Sequence, residues 1–378
     1  MRITFLSTFP PFRGGIAHFN DRFAEELLAR GHQVRAITFT RQYPALLFPG
    51  RTQKEEGAPI GTPAVEAEPL VDSIGPISWF RTAKRIRRQA PDVVILRYWI
   101  GFFAPCYWSI VRLVKRGRRP KVIYLVDNFI PHEQRLGETL LRRLAFRVAD
   151  GCMVLSSVVE AQVRQAYPAL PVTCSPHPIY DRFGAAMDPV QARTELGLPP
   201  GARVLLFFGF IRPYKGLDQL LEAFPKIAAA DPDVHLVVAG ECYHGEAELR
   251  EQARTSGTAD RIHLHLGYIA SERIATFFSA SEVLVLPYRS ATQSGIVQIA
   301  HHFELPCIVT DVGGLAEVVI EGRTGHVVPA GNKAALADRV IRFLRERIDM
   351  RPGLRDARKR YQWSTFTESF ERLVDRVK

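Results

Sequence analysis

Cysteine is scarce and scattered in this sequence of 378 residues, and no Cys-x-x-Cys or other close pair occurs. The five are Cys106, Cys152, Cys174, Cys242 and Cys307. An odd, dispersed set argues against a disulfide framework or a zinc site and favours a reducing compartment. We therefore expect a cytoplasmic protein without a zinc site.

Long apolar runs are also missing. The first run, residues 1–6, is ended by Ser7 and is too short for a signal peptide. The stretch that comes nearest to a membrane span, residues 98–114, is interrupted by Pro105 and Arg112 and falls short of the ~20 residues that cross a bilayer. We expect it to be buried or interfacial.

No Gly-x-Gly-x-x-Gly follows the first predicted strand, and no acidic residue ends the second, where residues 39–41 read Phe-Thr-Arg. A nicotinamide-dinucleotide site is therefore not expected. Instead, Gly14 and Gly15 precede a helix that starts near Ile16. Without a Cβ, their backbone can be approached closely by a ligand. The alternative is a tight turn with no further role.

The positive charge is confined to the first half of the chain. Residues 1–180 contain 25 Lys and Arg against 14 Asp and Glu, whereas residues 181–378 contain 25 of each kind. Arginine and lysine concentrate in residues 81–88 and 112–121, with aromatic residues interleaved. This combination favours a peripheral contact with an anionic inner membrane leaflet. A solvated basic face over ordinary core aromatics is the alternative.

A nucleic-acid partner would also suit the basic charge. No helix-turn-helix, zinc-finger or RNA-recognition signature is present, so we do not expect one.

Both halves alternate apolar strands with amphipathic helices, which predicts parallel sheets with right-handed crossovers. The expected fold is α/β, with two Rossmann-like domains facing each other across a cleft. We place the domains at 1–180 and 181–362, with a terminal helix at 363–378 that packs back on the first domain. Residues 41–76 look like a long surface excursion. The terminal helix has a predicted capping box at residues 365–368 and an apolar stripe.

The most informative segment is Val204–Gly216. A buried strand ends at Gly209, a short loop carries Arg212 and Lys215, and a helix opens at Gly216. Two cations at the carboxyl end of a strand, beside a helix start, form a socket for phosphate. The alternative is a loop whose cations face water.

A second phosphate-type element occurs about eighty residues later. After a strand at Val283–Leu286, small and polar residues that include Thr292, Ser294 and Gly295 lead into a helix at Ile296. Hydroxyl groups and the first free N–H groups of a helix suit a diphosphate and a sugar hydroxyl. A plain N-cap is the competing interpretation.

Three further segments follow predicted strands or lie near the domain boundary. Asp127 and His132 come after a strand of the first domain, where polar side chains would face the cleft. Residues 311–317 form another strand–turn–helix element. His177, before Pro178, is interpreted as structural.

Together these residues match a known pattern. The segments that carry it are Gly209–Gly216, Thr292–Val297, Thr310–Glu317 and Gly322–Pro329. The chain resembles the family-four, retaining GT-B glycosyltransferases of the group 1 superfamily.

The resemblance implies transfer of a sugar from a nucleotide diphosphate-sugar to a saccharide or lipid-linked acceptor, in cell-surface polysaccharide or glycolipid synthesis, without metal or cofactor. Arg212 and Lys215 would neutralise the leaving diphosphate, with help from the N–H groups of Gly295 and Ile296. Gly15 would close over the phosphate from the first domain. The remaining donor contacts would be Gly209, Tyr268, Thr292, Ser294 and Gln298. Catalytic roles would fall to Arg212, Lys215, Asp127 and His132.

This sequence departs from the family pattern at three places. Thr292 and Ala300 stand where two glutamates are common, and Gln298 is our candidate for the lost ribose contact. Arg212 comes two residues later than usual. Asp127-Asn128 replaces a histidine. These departures leave open a non-catalytic nucleotide-sugar binder, or another GT-B enzyme such as an epimerase or phosphorylase.

Overall fold

A computed structural model of the chain describes residues 1–44, 52–55, 62–117, 119–131, 137–243 and 245–377. The chain divides into two compact units. The first comprises Met1–Pro176 together with Trp363–Lys378, and the second comprises His177–Gln362. We had placed this boundary at residue 180.

The first unit is built on a seven-stranded sheet in the order β3-β2-β1-β4-β5-β6-β7, and all the strand pairs are parallel. Its elements up to residue 176 are β1 (Arg2–Leu6), α1 (Gly15–Ala29), β2 (Gln33–Arg41), β3 (Ala67–Asp72), α2 (Pro76–Gln89), β4 (Val93–Tyr98), α3 (Ala104–Lys115), β5 (Lys121–Val126), α4 (Glu138–Phe146), β6 (Gly151–Val154), α5 (Ser157–Ala166) and β7 (Val172–Cys174). The central strands are buried along their whole length, as expected where helices cover both faces.

Both edge strands of this sheet escaped prediction. β3 (Ala67–Asp72) lies within residues 41–76, which we had interpreted as a long surface excursion, so that interpretation is wrong for this strand. Its sequence, AEPLVD, contains Pro69 and two acidic residues, which an edge strand tolerates because one side of its backbone is unpaired. β7 has only three residues. Residues 45–51 and 56–61 lie outside the described residues.

The second unit has a six-stranded parallel sheet in the order β10-β9-β8-β11-β12-β13. Its elements are α6 (Pro189–Glu195), β8 (Arg203–Phe208), α7 (Leu217–Ala230), β9 (Val234–Ala239), α8 (Glu246–Thr255), β10 (Ile262–His265), α9 (Ile274–Ser279), β11 (Val283–Leu286), α10 (Gly295–His302), β12 (Cys307–Thr310), β13 (Gly325–Val328), α11 (Lys333–Glu346) and α12 (Arg351–Arg360). The two strands predicted before the phosphate loops are confirmed as β8 and β11.

The strand order places the two predicted phosphate loops side by side. The chain winds outward from β8 in one direction through β9 and β10, and in the other direction through β11, β12 and β13. Ligands of open α/β sheets bind at the carboxyl ends of the strands where the winding reverses. The loop after β8 and the loop after β11 both leave the sheet at this point.

The terminal helix, α13 (Trp363–Arg376), belongs to the first unit. Its rings pack on α1, with centroid distances of 5.3 Å from Phe366 to Phe19 and 5.3 Å from Phe370 to Phe23. The predicted apolar stripe is thus buried. The capping box is wrong, because the helix begins at Trp363 and Thr365 lies inside it.

No helix in the described part of the chain is both long and apolar enough to cross a bilayer. The predicted interfacial stretch divides between the end of β4, a short 3₁₀ turn and α3, whose inner face is buried. All five cysteines are free thiols.

Candidate functional site

The loop after β8 is shaped by two glycines. The chain turns at Gly209, where φ is 104°, passes through a 3₁₀ turn at Pro213–Lys215 and enters α7 after Gly216, where φ is 65°. A Cβ built on Gly216 would lie 2.1 Å from the carbonyl oxygen of Pro287. Only glycine fits there, so the loops after β8 and β11 are in contact.

Arg289 locks these two loops together. Its backbone N–H donates to the carbonyl oxygen of Tyr214 (2.7 Å) and its Nη1 donates to that of Pro213 (2.7 Å). The guanidinium also forms an ion pair with Asp218, with Nη1 at 2.8 Å from Oδ1. No local pattern in the sequence marks Arg289, because its partners lie more than seventy residues away.

Lys215 is the central residue of the site. Its side chain is buried, and Nζ would lie 3.1 Å from a Cβ built on Gly209, so the ammonium group rests on that backbone. Nζ also lies 5.4 Å from the ring centroid of Tyr288. Burial, together with the nearby charge of Arg212, lowers the pKa of Lys215 to about 7. No carboxylate of a described residue forms an ion pair with it.

Arg212 supplies a second positive charge. It is half-buried, and its guanidinium carbon lies 4.8 Å from the ring centroid of Tyr243, which in turn stacks on Phe210 at 5.3 Å. Stacking of this kind fixes the plane of a guanidinium. The pair of cations therefore favours an anionic ligand.

The amino-terminal end of α10 lies beside the same glycine. A Cβ on Gly209 would be 3.3 Å from Cδ1 of Ile296. Ser294 precedes the helix in an extended conformation, and its hydroxyl does not cap it. The first N–H groups of a helix have no partners within the helix and carry its positive dipole end. The start of α10 and the ammonium group of Lys215 are therefore both adjacent to Gly209.

Two residues of the segment between β7 and α6 also contact this helix end. A Cβ on Gly295 would lie 2.9 Å from Cε2 of Tyr180 and 3.5 Å from Nε2 of His177. Nδ1 of His177 is 2.6 Å from the carbonyl oxygen of Pro178, which fixes its proton on Nδ1. We had interpreted His177 as structural. Tyr180 was not singled out, since no local pattern marks it.

Within α10, Gln298 and His301 are fully buried. Neither the amide atoms of Gln298 nor the ring nitrogens of His301 have a hydrogen-bond partner among the described residues. Burial lowers the pKa of His301 to about 4, and its ring stacks on Tyr361 at 5.9 Å. Unpaired buried polar groups of this kind are costly and often await a ligand.

The remaining predicted donor contacts lie in the same unit. Thr292 is buried in the loop before α10. A Cβ on Gly313 would be 1.7 Å from the carbonyl oxygen of Ala291, so the segment after β12 packs on this loop. Tyr268 follows β10 and is half-buried.

The residues predicted from the first half lie in the first unit. Gly15 is the first residue of α1, after Gly14 with φ of 99°. His132 lies outside the described residues. Asp127 follows β5 and is buried, with its Oδ2 accepting from Nε of Arg97 (2.6 Å) and its Oδ1 from Nη2 (2.5 Å). Both its oxygens are therefore engaged by one guanidinium.

Arg97 was missed as a partner, although the sequence contains its signal. An arginine inside the apolar strand VVILRY must be paired if it is buried. Its Nη1 also donates to Oδ1 of Asn20 (3.3 Å), and Nδ2 of Asn20 donates to the carbonyl oxygen of Thr8 (2.8 Å). The pair thereby ties β4 and β5 to α1 and the loop that precedes it.

Comparison with known proteins identifies the family of the chain. Residues 202–346 match the family described as glycosyl transferases group 1, and residues 14–176 match the glycosyl transferase 4-like domain. Among relatives, D-inositol 3-phosphate glycosyltransferase 2 of Catenulispora acidiphila is 30% identical over 270 residues, or 67% of this chain. The match spans 62% of that relative's length.

Among solved structures, sucrose-phosphate synthase of Thermosynechococcus elongatus superposes with a TM-score of 0.75 at 19% identity, covering 99% of this chain and 98% of that one. HepE of Anabaena, solved in complex with UDP, gives a TM-score of 0.74 at 17% identity, covering 99% and 100%. These similarities show the GT-B fold. The chain belongs to the family-four, group 1 glycosyltransferases.

Proposed function

We propose that the chain transfers a sugar from a nucleotide diphosphate-sugar to a saccharide or lipid-linked acceptor, with retention of configuration. One observation carries this proposal. The buried ammonium of Lys215 has no carboxylate partner in the described chain and lies between the Gly209 backbone and the start of α10. Leaving such a charge unpaired is costly unless an anion compensates it.

The chemistry follows from this placement. As the bond between the sugar and the diphosphate breaks, negative charge grows on the departing phosphate oxygen. Lys215, Arg212 and the N–H groups at the start of α10 would stabilise that charge more strongly than they stabilise the intact donor. Retention requires that the acceptor oxygen bond to the anomeric carbon on the face that the diphosphate leaves.

The rest of the donor would be held by side chains around α10. We assign the ribose to Gln298, whose amide lacks a partner among the described residues, and the sugar and phosphates to Ser294, Thr292 and the backbone of Gly295. Tyr268 is our candidate for contact with the base. HepE, the similar structure solved with UDP, supports a nucleotide diphosphate as the ligand.

For the acceptor, we propose a role in glycolipid or surface polysaccharide synthesis. Support comes from the relative named for D-inositol 3-phosphate, a phosphorylated polyol. We also propose that Asp127 positions the loop before α1 through Arg97, and that transfer needs no metal ion.

A peripheral membrane contact would use the outer face of α2. Ile77 is 72% exposed and Phe80 is 66% exposed, and cations that include Arg81 and Lys84 flank them. Apolar side chains beside arginine and lysine are typical of surfaces that dock on anionic lipid. Phe80→Ser should reduce co-sedimentation with anionic vesicles. Leu140→Ser, which removes a comparably exposed side chain from α4, is the matched control.

The function is tested by donor panels and transfer assays. A thermal-shift screen of nucleotide diphosphates and their sugars should find a ligand that raises the melting temperature. Transfer from that donor, and its loss in Lys215→Ala with the fold intact, would support the proposal. Chelation with EDTA should leave transfer unchanged. Binding without transfer or hydrolysis would indicate a nucleotide-sugar binder, and the absence of binding would overturn the assignment.

A further inference from the structure

A concave, strongly basic cavity lies at the amino-terminal edge of the sheet in the first unit. Its volume is about 880 Å³, within the range of small-molecule sites. Its walls come from the end of α3, the start of β5 and the segment between α4 and β6, and Trp108 forms part of them. Six cationic side chains line it, against the single carboxylate of Asp150.

Most of this charge is not compensated by ion pairs among the described residues. Asp150 accepts from Nζ of Lys115 with both oxygens, each at 2.7 Å. Nζ of Lys121 donates to the carbonyl oxygen of Val374 (2.9 Å). The other four cations of the cavity form no ion pair with a described residue. They are Arg112, Arg116, Arg119 and Arg147.

The helix ends account for only part of this positive charge. Arg112, Lys115 and Arg116 are at the end of α3, and Arg147 follows α4, where cations complement the helix dipole. Each helix end presents about half a negative charge, so two ends balance about one cation. The four arginines are exposed to solvent, so it is their crowding on one concave surface, where like charges concentrate a positive field, that favours an anion.

The arginine on the cavity wall is held in an orientation suited to phosphate. The guanidinium carbon of Arg112 lies 5.1 Å from the ring centroid of Trp108. Stacking on an indole fixes the guanidinium plane and leaves its N–H edge available, and that edge matches the oxygens of a phosphate group. The site is therefore more than a diffuse field of charge.

The cavity is separate from the proposed transfer site. Lys121 opens β5 and Asp127 follows its last residue, so the cavity and the Arg97–Asp127 pair lie at opposite ends of one strand, roughly 20 Å apart at about 3.3 Å per residue. Gly15 follows the carboxyl end of β1, a strand of the same parallel sheet. Lys215 lies in the other unit.

We propose that this cavity is a second anion site, which binds a ligand carrying at least two negative charges on phosphate groups. The phosphate belongs either to a soluble molecule or to a lipid headgroup. The proposal does not depend on the transfer reaction.

Calorimetric titration of the full chain with pyrophosphate tests the proposal. Two classes of site are expected, one lost in Lys215→Ala and the other in the double variant Arg116→Glu with Arg147→Glu. We expect at least about tenfold weaker binding at the second class, because each arginine contributes charged hydrogen bonds. The matched control is Arg345→Glu with Lys359→Glu, two exposed cations of the second unit with the same change in charge.

A second arm uses vesicles of phosphatidylcholine with and without phosphatidic acid. Pyrophosphate binding that the double variant loses shows that soluble phosphate suffices. Binding to phosphatidic acid vesicles alone, again lost in the double variant, identifies a lipid phosphate. If neither ligand binds, or if the control weakens binding as much as the double variant does, the cavity is not a site and the proposal is wrong.

Discussion

The ammonium group of Lys215 rests on the backbone of Gly209, where a Cβ would come within 3.1 Å of Nζ and 3.3 Å of Cδ1 of Ile296. The absence of a side chain at Gly209 is therefore what lets the lysine and the start of α10 share one space. Its φ of 104° also lies in the region that L-residues rarely adopt.

Gly209→Ala should consequently damage both stability and donor binding. The positive φ is expected to cost about 1–3 kcal/mol in the free energy of unfolding, measured by urea denaturation. The added methyl group should also displace Nζ and weaken binding of a nucleotide diphosphate by about tenfold or more, measured by calorimetry.

Gly257→Ala is the matched control, because Gly257 has φ of 77° and open space around its Cβ position. It should lose stability in the same way while binding normally. Equal binding by the two variants would contradict the role of Gly209.

The lowered pKa of Lys215 leads to a second prediction, which concerns how the free energy of unfolding depends on pH. The pKa is about 7 in the folded protein and near 10.5 when unfolded, so folding must release a proton or bury a charge. This penalty is fully present below pH 7 and disappears as the pH rises toward 10.5. Lys215→Met should therefore raise the free energy of unfolding at pH 6 by at least about 1 kcal/mol, with a smaller gain at pH 9.

The same variant should lose donor binding, since the charge compensates the diphosphate. Lys226→Met, which removes an exposed lysine paired with Asp338, should change neither quantity by more than about 0.5 kcal/mol. If the Lys215→Met protein is less stable than wild type at pH 6, burial of the Lys215 charge does not destabilise the folded protein and the prediction is wrong.

Wild-type donor affinity should also depend on pH. Above pH 7 the free lysine is largely neutral, so binding of a diphosphate must take up a proton. The dissociation constant should rise from pH 7 to pH 9, by up to about tenfold per unit. Calorimetry in buffers of different ionisation enthalpy would detect the proton uptake, and a flat profile would exclude Lys215 as the ligand of the diphosphate.

The sequence was sufficient to predict the part of the site whose residues are contiguous in the chain. The run VLLFF, Gly209, the two cations and the helix after Gly216 are contiguous, so strand, loop and helix were all predicted. The strand order then made the loop after β11 its neighbour. Arg289, His177 and Tyr180 could not be predicted in this way, because only the tertiary fold brings them to the site.

The errors have physical causes too. The capping box at Thr365 failed because Trp363 packs on Phe19, at a centroid distance of 4.9 Å, and this contact extends the helix toward its start. β3 was missed because an edge strand is half solvated and needs no apolar run. Of the residues that were missed, only Arg97 could have been predicted to form an ion pair, because a cation within a buried strand needs an anionic partner.

Gln298 gives a prediction that separates ligand contact from packing. Its amide is fully buried without a partner among the described residues, so removing it should not cost a hydrogen bond in the free protein. Gln298→Met should unfold at the same or slightly higher denaturant concentration. If the amide binds the donor ribose, affinity for a nucleotide diphosphate should fall by about tenfold.

A useful comparison for Gln298→Met is titration with pyrophosphate, which has no ribose. Its binding at the Lys215 site should be unchanged in the variant. Unaltered nucleotide affinity would assign Gln298 to packing alone.

The last prediction concerns the buried pair of Arg97 and Asp127. Removing one partner leaves the other charge buried and unpaired. Asp127→Asn should therefore lower the free energy of unfolding by about 3–5 kcal/mol. Replacing both residues, as Arg97→Met with Asp127→Leu, should restore much of that loss because no unpaired charge remains. Denaturant titration of the two variants measures both changes.

Transfer rates in the same variants distinguish a positioning role from direct catalysis. The ion pair engages both oxygens of Asp127, which leaves the carboxylate poorly placed to accept a proton. If the pair only positions the loop before α1, the double variant should retain measurable transfer, with a change mainly in KM. A stable double variant whose kcat falls by more than about a thousandfold would instead make Asp127 a participant in the reaction.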